Sequence, residues 1–430
     1  MNCYIGIDLG TSGVRAIAID CEKSIVAEAI VDLPPPERGD EGSSEQRPEC
    51  WWDAALEVLL SVAQQLKGVD VQAIAVDGTS STLLLCDPQG SPLTTALMYN
   101  DNRSKALLPE LAQAAPASSP VNSASSSLAK LLYLKRQIDT ENFLALHQAD
   151  WILGRLSGHF GFSDENNCLK LGYDPVQRCW PTWMESLALP PGCLPDVQPP
   201  GTAIGRLSAE VANATGMPAS TRIVTGTTDS NAATLATGAA EIGDAVTSLG
   251  STLVLKILSD QPVFAAEFGI YSHRLGEHWL VGGASNSGGA ICADLFSREE
   301  MATLTLQIEP DNPTGLDYYP LLQPGERFPV NDPEFAPRLA PRPEDDARYF
   351  QGILEGIANI EREGYALLQR LGAPAPRRII SIGGGAGNEP WRRIREKLLG
   401  VPVERAVQQQ AAYGTALLAL AAVSCPVENA

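Results

Sequence analysis

Along residues 5–20, "IGIDLGTSGVRAIAID", apolar positions alternate with polar or small ones, and the alternation breaks at Gly10, Thr11, Ser12 and Gly13. A two-residue period interrupted by glycine predicts strand, turn, strand. The following "LPPPERGDEGSSEQRP" is rich in proline, glycine and charge and reads as surface. From about Pro48 the period lengthens, with Trp52, Ala55, Leu56, Leu59, Leu60 and Ala63 at helical spacing. "VQAIAVDGTSSTLLLCD" then repeats the theme of apolar strand, Asp-Gly turn and apolar strand. Helices are expected at 128–136 and 147–157. At 222–230 a strand, "RIVTGTTDS", runs into a polar turn and an Ala-rich helix.

"AVTSLGSTLVLKILSD" is again strand, glycine turn, strand. Residues 351–371 carry Ile353, Leu354, Ile357, Ile360, Leu367, Leu368 and Leu371, an amphipathic helical pattern. A strand at 378–382 meets "GGGAGN", and Pro390 opens a helix that stops near Gly400. The last strong segment, "AAYGTALLALAAV", is apolar nearly all round and predicts a buried helix. Strands and helices mix throughout, which places the chain in the α/β class. "DLGTSGVRAIAID" at 8–20 also aligns without gaps onto "SLGSTLVLKILSD" at 248–260. Each half therefore opens on a similar hairpin, as a duplicated domain would.

Length agrees with that division, since 430 residues exceed one ordinary core. No apolar run approaches the ~18 residues of a membrane span. Met1 leads directly into a strand-like segment with no leader-like pattern. Nine cysteines form no CxxC pair, which favours a reducing compartment over a disulfide framework or zinc site. A cytoplasmic location is expected, or a plastid one had a leader been removed. The net charge of −20 argues against nucleic-acid or anionic-membrane partners. It leaves room for a small anionic ligand held by backbone N–H groups or Mg²⁺.

Neither GxGxxG nor GxxxxGK[ST] occurs, so two common phosphate-binding loops are disfavoured. A Gly/Ser/Thr hairpin turn can still gather N–H groups into an anion-binding concavity. Asp8, beside the first turn, reads either as a turn-forming residue or as a carboxylate holding Mg²⁺ near phosphate. Asp229, at a strand-to-helix junction, reads either as an N-cap or as a general base. Gly383, Gly384, Gly385 and Gly387 form either a plain βα turn or a nucleotide approach to a helix N-terminus.

Taken in order, these pieces resemble the FGGY carbohydrate kinases, of the actin-like, sugar-kinase and heat-shock ATPase superfamily. "IGIDLGTSGVRAIAID" resembles the family's first phosphate motif, and "TSLGSTLVL" its second. "SSEQRPECWWDAAL" is similar to its Glu-Gln-x-Pro-x-x-Trp-Trp segment, and "TGTTDSNAA" to its catalytic-Asp motif. "DYYPLLQPGERFPVNDPEF" resembles Pro-x-Leu-x-Gly-Glu-Arg-x-Pro, "SIGGGAGNEPWRRIREKLLGVPV" the adenosine motif, and "AAYGTALLALAAV" the closing helix.

The resemblance implies two ribonuclease-H-like domains, of the actin/hexokinase ATPase type, flanking a deep cleft. A sugar-binding domain would span 1–236, rejoined by a C-terminal helix at 410–430, and an ATP-binding domain 237–409. ATP and Mg²⁺ are implied, with a small sugar as partner. Asp229 would be the general base, and Asp8 would position Mg²⁺ through water. Gly10 and Thr11 would form the first phosphate turn, Gly250 and Ser251 the second. Gly384, Gly385, Asn388 and Trp391 would line the adenosine pocket.

Two segments depart from the family pattern. "DGTSSTLL" stands where many members have Gly-Gln-x-His-Gly, so Thr79 and Ser80 replace longer polar side chains. "YNDNR" stands where Trp-x-Asp-x-Arg is common, leaving Tyr99 for the aromatic. These departures resemble a compact cyanobacterial and plant branch of xylulose-kinase-like proteins, which implies D-ribulose as substrate. Ser80 and Ser230, with Asp229, are the expected sugar contacts. Alternatives are a D-xylulose kinase, a sugar-independent actin-like ATPase, and a sugar-binding regulator without catalysis. The sequence leaves the oligomeric state open.

Overall fold

The computed structural model describes residues 2–123 and 126–424. The chain divides into two compact units: one runs to Ala236 and resumes at Gln410, the other spans Thr237–Gln409. Residues 425–430, within the expected C-terminal helix segment, lie outside the described residues.

The first unit is built on β1 (Asn2–Leu9), β2 (Gly13–Asp20), β3 (Ile25–Asp32), α1 (Pro48–Gln65), β4 (Asp70–Gly78), α2 (Ser127–Lys135), α3 (Gln148–Ser157), β5 (Arg222–Val224) and α4 (Asp229–Ala236). Its main sheet has the order Ala203–Arg206, β5, β4, β1, β2, β3. The three hairpin strands are antiparallel, whereas β4 and β5 run parallel to β1.

The period of two decides what each face touches. Ile5, Ile7 and Leu9 of β1 pack with Trp51, Ala55 and Val58 of α1. The alternate positions, Tyr4 in β1 and Ala73 and Ala75 in β4, pack with Ala412, Ala416 and Ala419 of the closing helix Ala411–Ser424. Small side chains let that helix lie close: a Cβ on Gly6 would be 2.1 Å from the Ala412 carbonyl. Tyr4 pairs with Ala73, Gly6 with Ala75 and Asp8 with Asp77, so both acids continue the closing-helix face.

The second unit repeats the plan with β6 (Asp244–Leu249), β7 (Leu253–Ser259), α5 (Asp346–Arg370), β8 (Arg378–Ile382) and α6 (Glu389–Leu399). Its sheet order is Tyr271–Leu275, His278–Ala284, β7, β6, β8, Val403–Arg405. The antiparallel hairpin is again followed by parallel strands, β8 and Val403–Arg405. The core is sealed by α5, and Glu361 on it accepts two hydrogen bonds from Arg395 of α6, at 2.6 and 2.7 Å.

The hairpins differ in one respect that the gapless sequence match conceals. Leu9 pairs with Val14, but Leu249 pairs with Leu253, so the first turn is one residue longer. A one-residue slip turns every side chain of the returning strand to the opposite face. The match therefore describes the outgoing strand, and Asp260, the aligned partner of Asp20, falls beyond the end of β7.

Candidate active site

Three carboxylates gather at one end of the first unit's sheet. Asp8 is the penultimate residue of β1, and Asp77 sits beside it in register on β4. Thr228 bridges Gly78 in parallel fashion, which brings Asp229, the first residue of α4, to the same sheet end. Close packing fixes that approach: a Cβ on Gly226 would lie 1.7 Å from the Val76 carbonyl oxygen. Asn166 Nδ2 also donates to Thr227 Oγ1 at 2.9 Å, tethering the turn before Asp229.

Burial and mutual charge raise two of these acids. Burial, followed by the charge of Asp229, raises the Asp8 carboxyl to about 6, while Asp77 and Arg15 pull the other way. Asp77 is fully buried, and desolvation together with the charge of Asp8 pushes its carboxyl well above the usual range. The Thr415 hydroxyl, from the closing helix, donates to Asp77 and opposes that shift. Asp229 is half-buried, and its Oδ1 accepts the Ser230 backbone N–H at 2.6 Å, so it also serves the helix start. Asp77 was given no role from sequence, although its "VDG" follows an apolar strand as "IDLG" does.

Around the first turn, Gly10 N–H donates to the Gly13 carbonyl at 2.9 Å. Buried Gln46 donates to the Thr11 carbonyl at 3.1 Å and accepts from Trp51 Nε1 at 2.9 Å. The Gln-x-Pro-x-x-Trp spacing thus props the turn from behind. Ser80 follows β4 in the loop after Gly78, next to Thr79, whose N–H and hydroxyl both donate to Gln148 Oε1. Ser230 is exposed, one residue into α4.

In the second unit, Gly250, Ser251, Gly384, Gly385, Asn388 and Trp391 line one cavity of about 820 Å³. Among the described residues no acid lines it, and its single cation is Arg298. Arg298 escaped the sequence reading, although the "SREE" that starts its helix forms a capping box at Ser297. Gly384 is open, with nothing within 4 Å of a Cβ, whereas on Gly385 that atom would be 2.7 Å from the Trp391 ring. Gly385 therefore serves the fold as well as the cavity. Asn388 caps α6 by accepting the Trp391 N–H at 3.0 Å, and its amide donates to Thr305 at 3.2 Å. Such an acid-free cavity, in a chain of net charge −20, suits a nucleoside polyphosphate.

A repeated sheet, an acidic strand end in one unit and an acid-free glycine-lined cavity in the other define a sugar-kinase architecture of the actin/hexokinase ATPase fold. The chain belongs to the FGGY family of carbohydrate kinases, whose N-terminal domain matches residues 3–236 and whose C-terminal domain matches residues 245–423. It is an ATP-dependent sugar kinase. The xylulose kinase of Escherichia coli (strain K12) is 27% identical over 92% of this chain and 85% of its own length. That of Staphylococcus xylosus is 23% identical over 97% and 90%. Among solved structures, a xylulose kinase from Brucella ovis superposes with a TM-score of 0.89 at 26% identity, covering 99% of this chain and 91% of that one. No helix among the described residues is long and apolar enough to cross a membrane.

Proposed function

We propose that this kinase phosphorylates the terminal hydroxyl of a ketopentose, with D-ribulose as its substrate and Asp229 as general base. The supporting observation is the difference between the three acids. Asp229 alone combines partial exposure with a place at the head of a helix. A reachable carboxylate can take the hydroxyl proton as the oxygen attacks phosphorus. Asp77, fully enclosed, cannot touch substrate.

Asp8 is the candidate ligand for Mg²⁺ through water. No three His, Cys, Asp or Glu groups among the described residues converge closely enough to hold an ion directly. An ion at Asp8 would be held by one or two carboxylates, waters and phosphate oxygens. When bound, the ion would neutralise phosphate charge. Thr11 offers a hydroxyl beside the first turn, and Gly250, Ser251 and Arg298 are the candidates for the phosphates in the second unit. Adenosine would lie along Gly384, Gly385, Asn388 and Trp391.

D-ribulose is preferred because short side chains in the Thr79–Thr82 loop replace the family's longer ones, altering how hydroxyls are read. The names of the curated relatives favour D-xylulose as the second reading. The two sugars differ at one stereocentre, so one or two hydroxyl contacts decide. Measuring ADP release with Mg²⁺ and each ketose, as kcat/KM, tests both. A higher value for D-ribulose is expected. Higher turnover of D-xylulose would replace the substrate reading, and ADP release indifferent to every sugar would remove the kinase reaction itself.

A further inference from the structure

One ammonium group joins the two segments that depart from the family pattern. Lys130, in α2, is fully buried, and its Nζ donates to the carbonyls of Ser81 and Met98, each at 2.7 Å. Ser81 belongs to the Thr79–Thr82 loop and holds a left-handed backbone, φ 69°, uncommon for a residue with a side chain. Met98 leads into Tyr99–Arg103, and its carbonyl also accepts the Asp101 N–H at 2.9 Å. Ser81 Oγ and Asn100 Oδ1, one on each segment, are buried without a hydrogen-bond partner.

Lys130 is itself held in place. Ser126 caps α2 by accepting the Ala129 N–H at 3.2 Å. Ser127 Oγ meets His147 Nε2 at 2.9 Å, and His147 Nδ1 meets Asp150 at 2.9 Å. This Ser–His–Asp chain is buried throughout, so it locks the starts of α2 and α3 together and performs no hydrolysis.

We propose that Lys130 is a positioning residue for the sugar, fixing the Thr79–Thr82 loop and the Tyr99–Arg103 segment in one relation. The inference rests on the reading of these segments as the sugar site. Burial lowers the Lys130 ammonium to about 7, with Asp101 opposing and Lys170 reinforcing. The clamp does not depend on that charge, because a neutral amine still has two N–H donors for two carbonyls.

The test compares wild type, Lys130→Met, Lys130→Gln and Ser80→Ala, with KM and kcat measured for D-ribulose, D-xylulose and ATP. For Lys130→Met the sugar KM is expected to rise about tenfold or more, and the ribulose-to-xylulose ratio to narrow. The ATP KM should stay within about twofold, a split that general unfolding would not give. Lys130→Gln, which keeps two N–H donors, should recover part of the loss. If Ser80→Ala raises the sugar KM while both Lys130 variants leave it unmoved, the clamp is refuted and the sugar-site reading stands. If Ser80→Ala leaves the sugar KM unmoved, the sugar-site reading fails. A second measurement needs no variant: D-ribulose should slow amide exchange in residues 79–82 and 98–103 together, and protection of one segment alone overturns the proposal.

Discussion

The turns at Gly10–Thr11 and Gly250–Ser251 share a Leu-Gly start with two hydroxyl residues after it, and a place in their sheets, yet their surroundings are opposite. The first is bordered by Asp8, with Asp77 beside it and Asp229 at the same sheet end. The second has Ser248 where the first has Asp8, and it borders a cavity without an acidic residue. One supersecondary unit has thus been fitted for two tasks by what stands one or two residues before the glycine. Under the proposed function, the acids gather at the end assigned to the base and the cation, and the second cavity is the one assigned to the phosphates.

The severest way to break the contrast is to strip the first end of its base. Asp229→Ala should lower kcat by about 10²–10⁴-fold with little change in ATP KM, since the lost group acts on the sugar hydroxyl. Steady-state kinetics with both substrates varied would show it, and retention of wild-type kcat would move the base elsewhere. The reverse operation makes the second hairpin resemble the first. Ser248→Asp puts a carboxylate beside the Gly250–Ser251 turn, and repulsion of phosphate should raise the ATP KM about tenfold, or ~1.4 kcal/mol. Sugar KM should not follow. An unchanged ATP KM would mean that this turn does not meet phosphate.

The contrast was only partly visible in the sequence. Periodicity gave the strand 378–382 and placed the helices at 48–65, 127–135, 148–157, 389–399 and 411–424 within one or two residues, because apolar spacing is set locally, whereas α5 starts at Asp346, five residues before the expected start. Glycines near a strand end and helix start pointed to the turn at 383–388. Asp77 was missed because nothing in a linear pattern says that β4 pairs with β1 in the register that sets two acids side by side. Arg298 and Lys130 were missed for a related reason: each sits in a helix whose packing partner is remote in sequence. The slip in the first hairpin was hidden by a gapless match, since alignment counts residues and not ladder partners.

Smaller effects should also separate the units. In each, a threonine hydroxyl meets a buried carboxylate, Thr415 on Asp77 and Thr247 on Glu361. Glu361 has Arg395 as well, whereas Asp77 has no such cation among the described residues. Removing the hydroxyl in Thr415→Val should therefore cost about 1–3 kcal/mol, the range for leaving a buried polar group without its partner. Thermal unfolding would register this as a loss of several degrees. An unchanged Tm would show that the closing helix does not depend on the bond to Asp77.

The smallest expected effect uses pH. Burial and the nearby Asp150 raise the Asp164 carboxyl to about 7, although N–H groups of Asn166 and Asn167 oppose the shift. Unfolded, that group titrates near ~3.9. Between those values the folded chain holds a proton that the unfolded chain releases. Its contribution to stability is complete below ~4 and is lost as pH rises through about 7. Asp8 and Asp77 shift in the same direction, so the total pH dependence of the wild type cannot isolate Asp164. The difference between wild type and Asp164→Asn does. From pH 5 to pH 8 the wild type should lose on the order of 1 kcal/mol relative to the variant, about 2–4 °C in Tm. Because Asp164 accepts from the segment whose Asn166 tethers Thr227, the loss should fall on the unit that carries Asp229. A pH-independent difference would mean that Asp164 stays ionised, and the acids of the first unit would then be less distinct from Glu361 than their burial indicates.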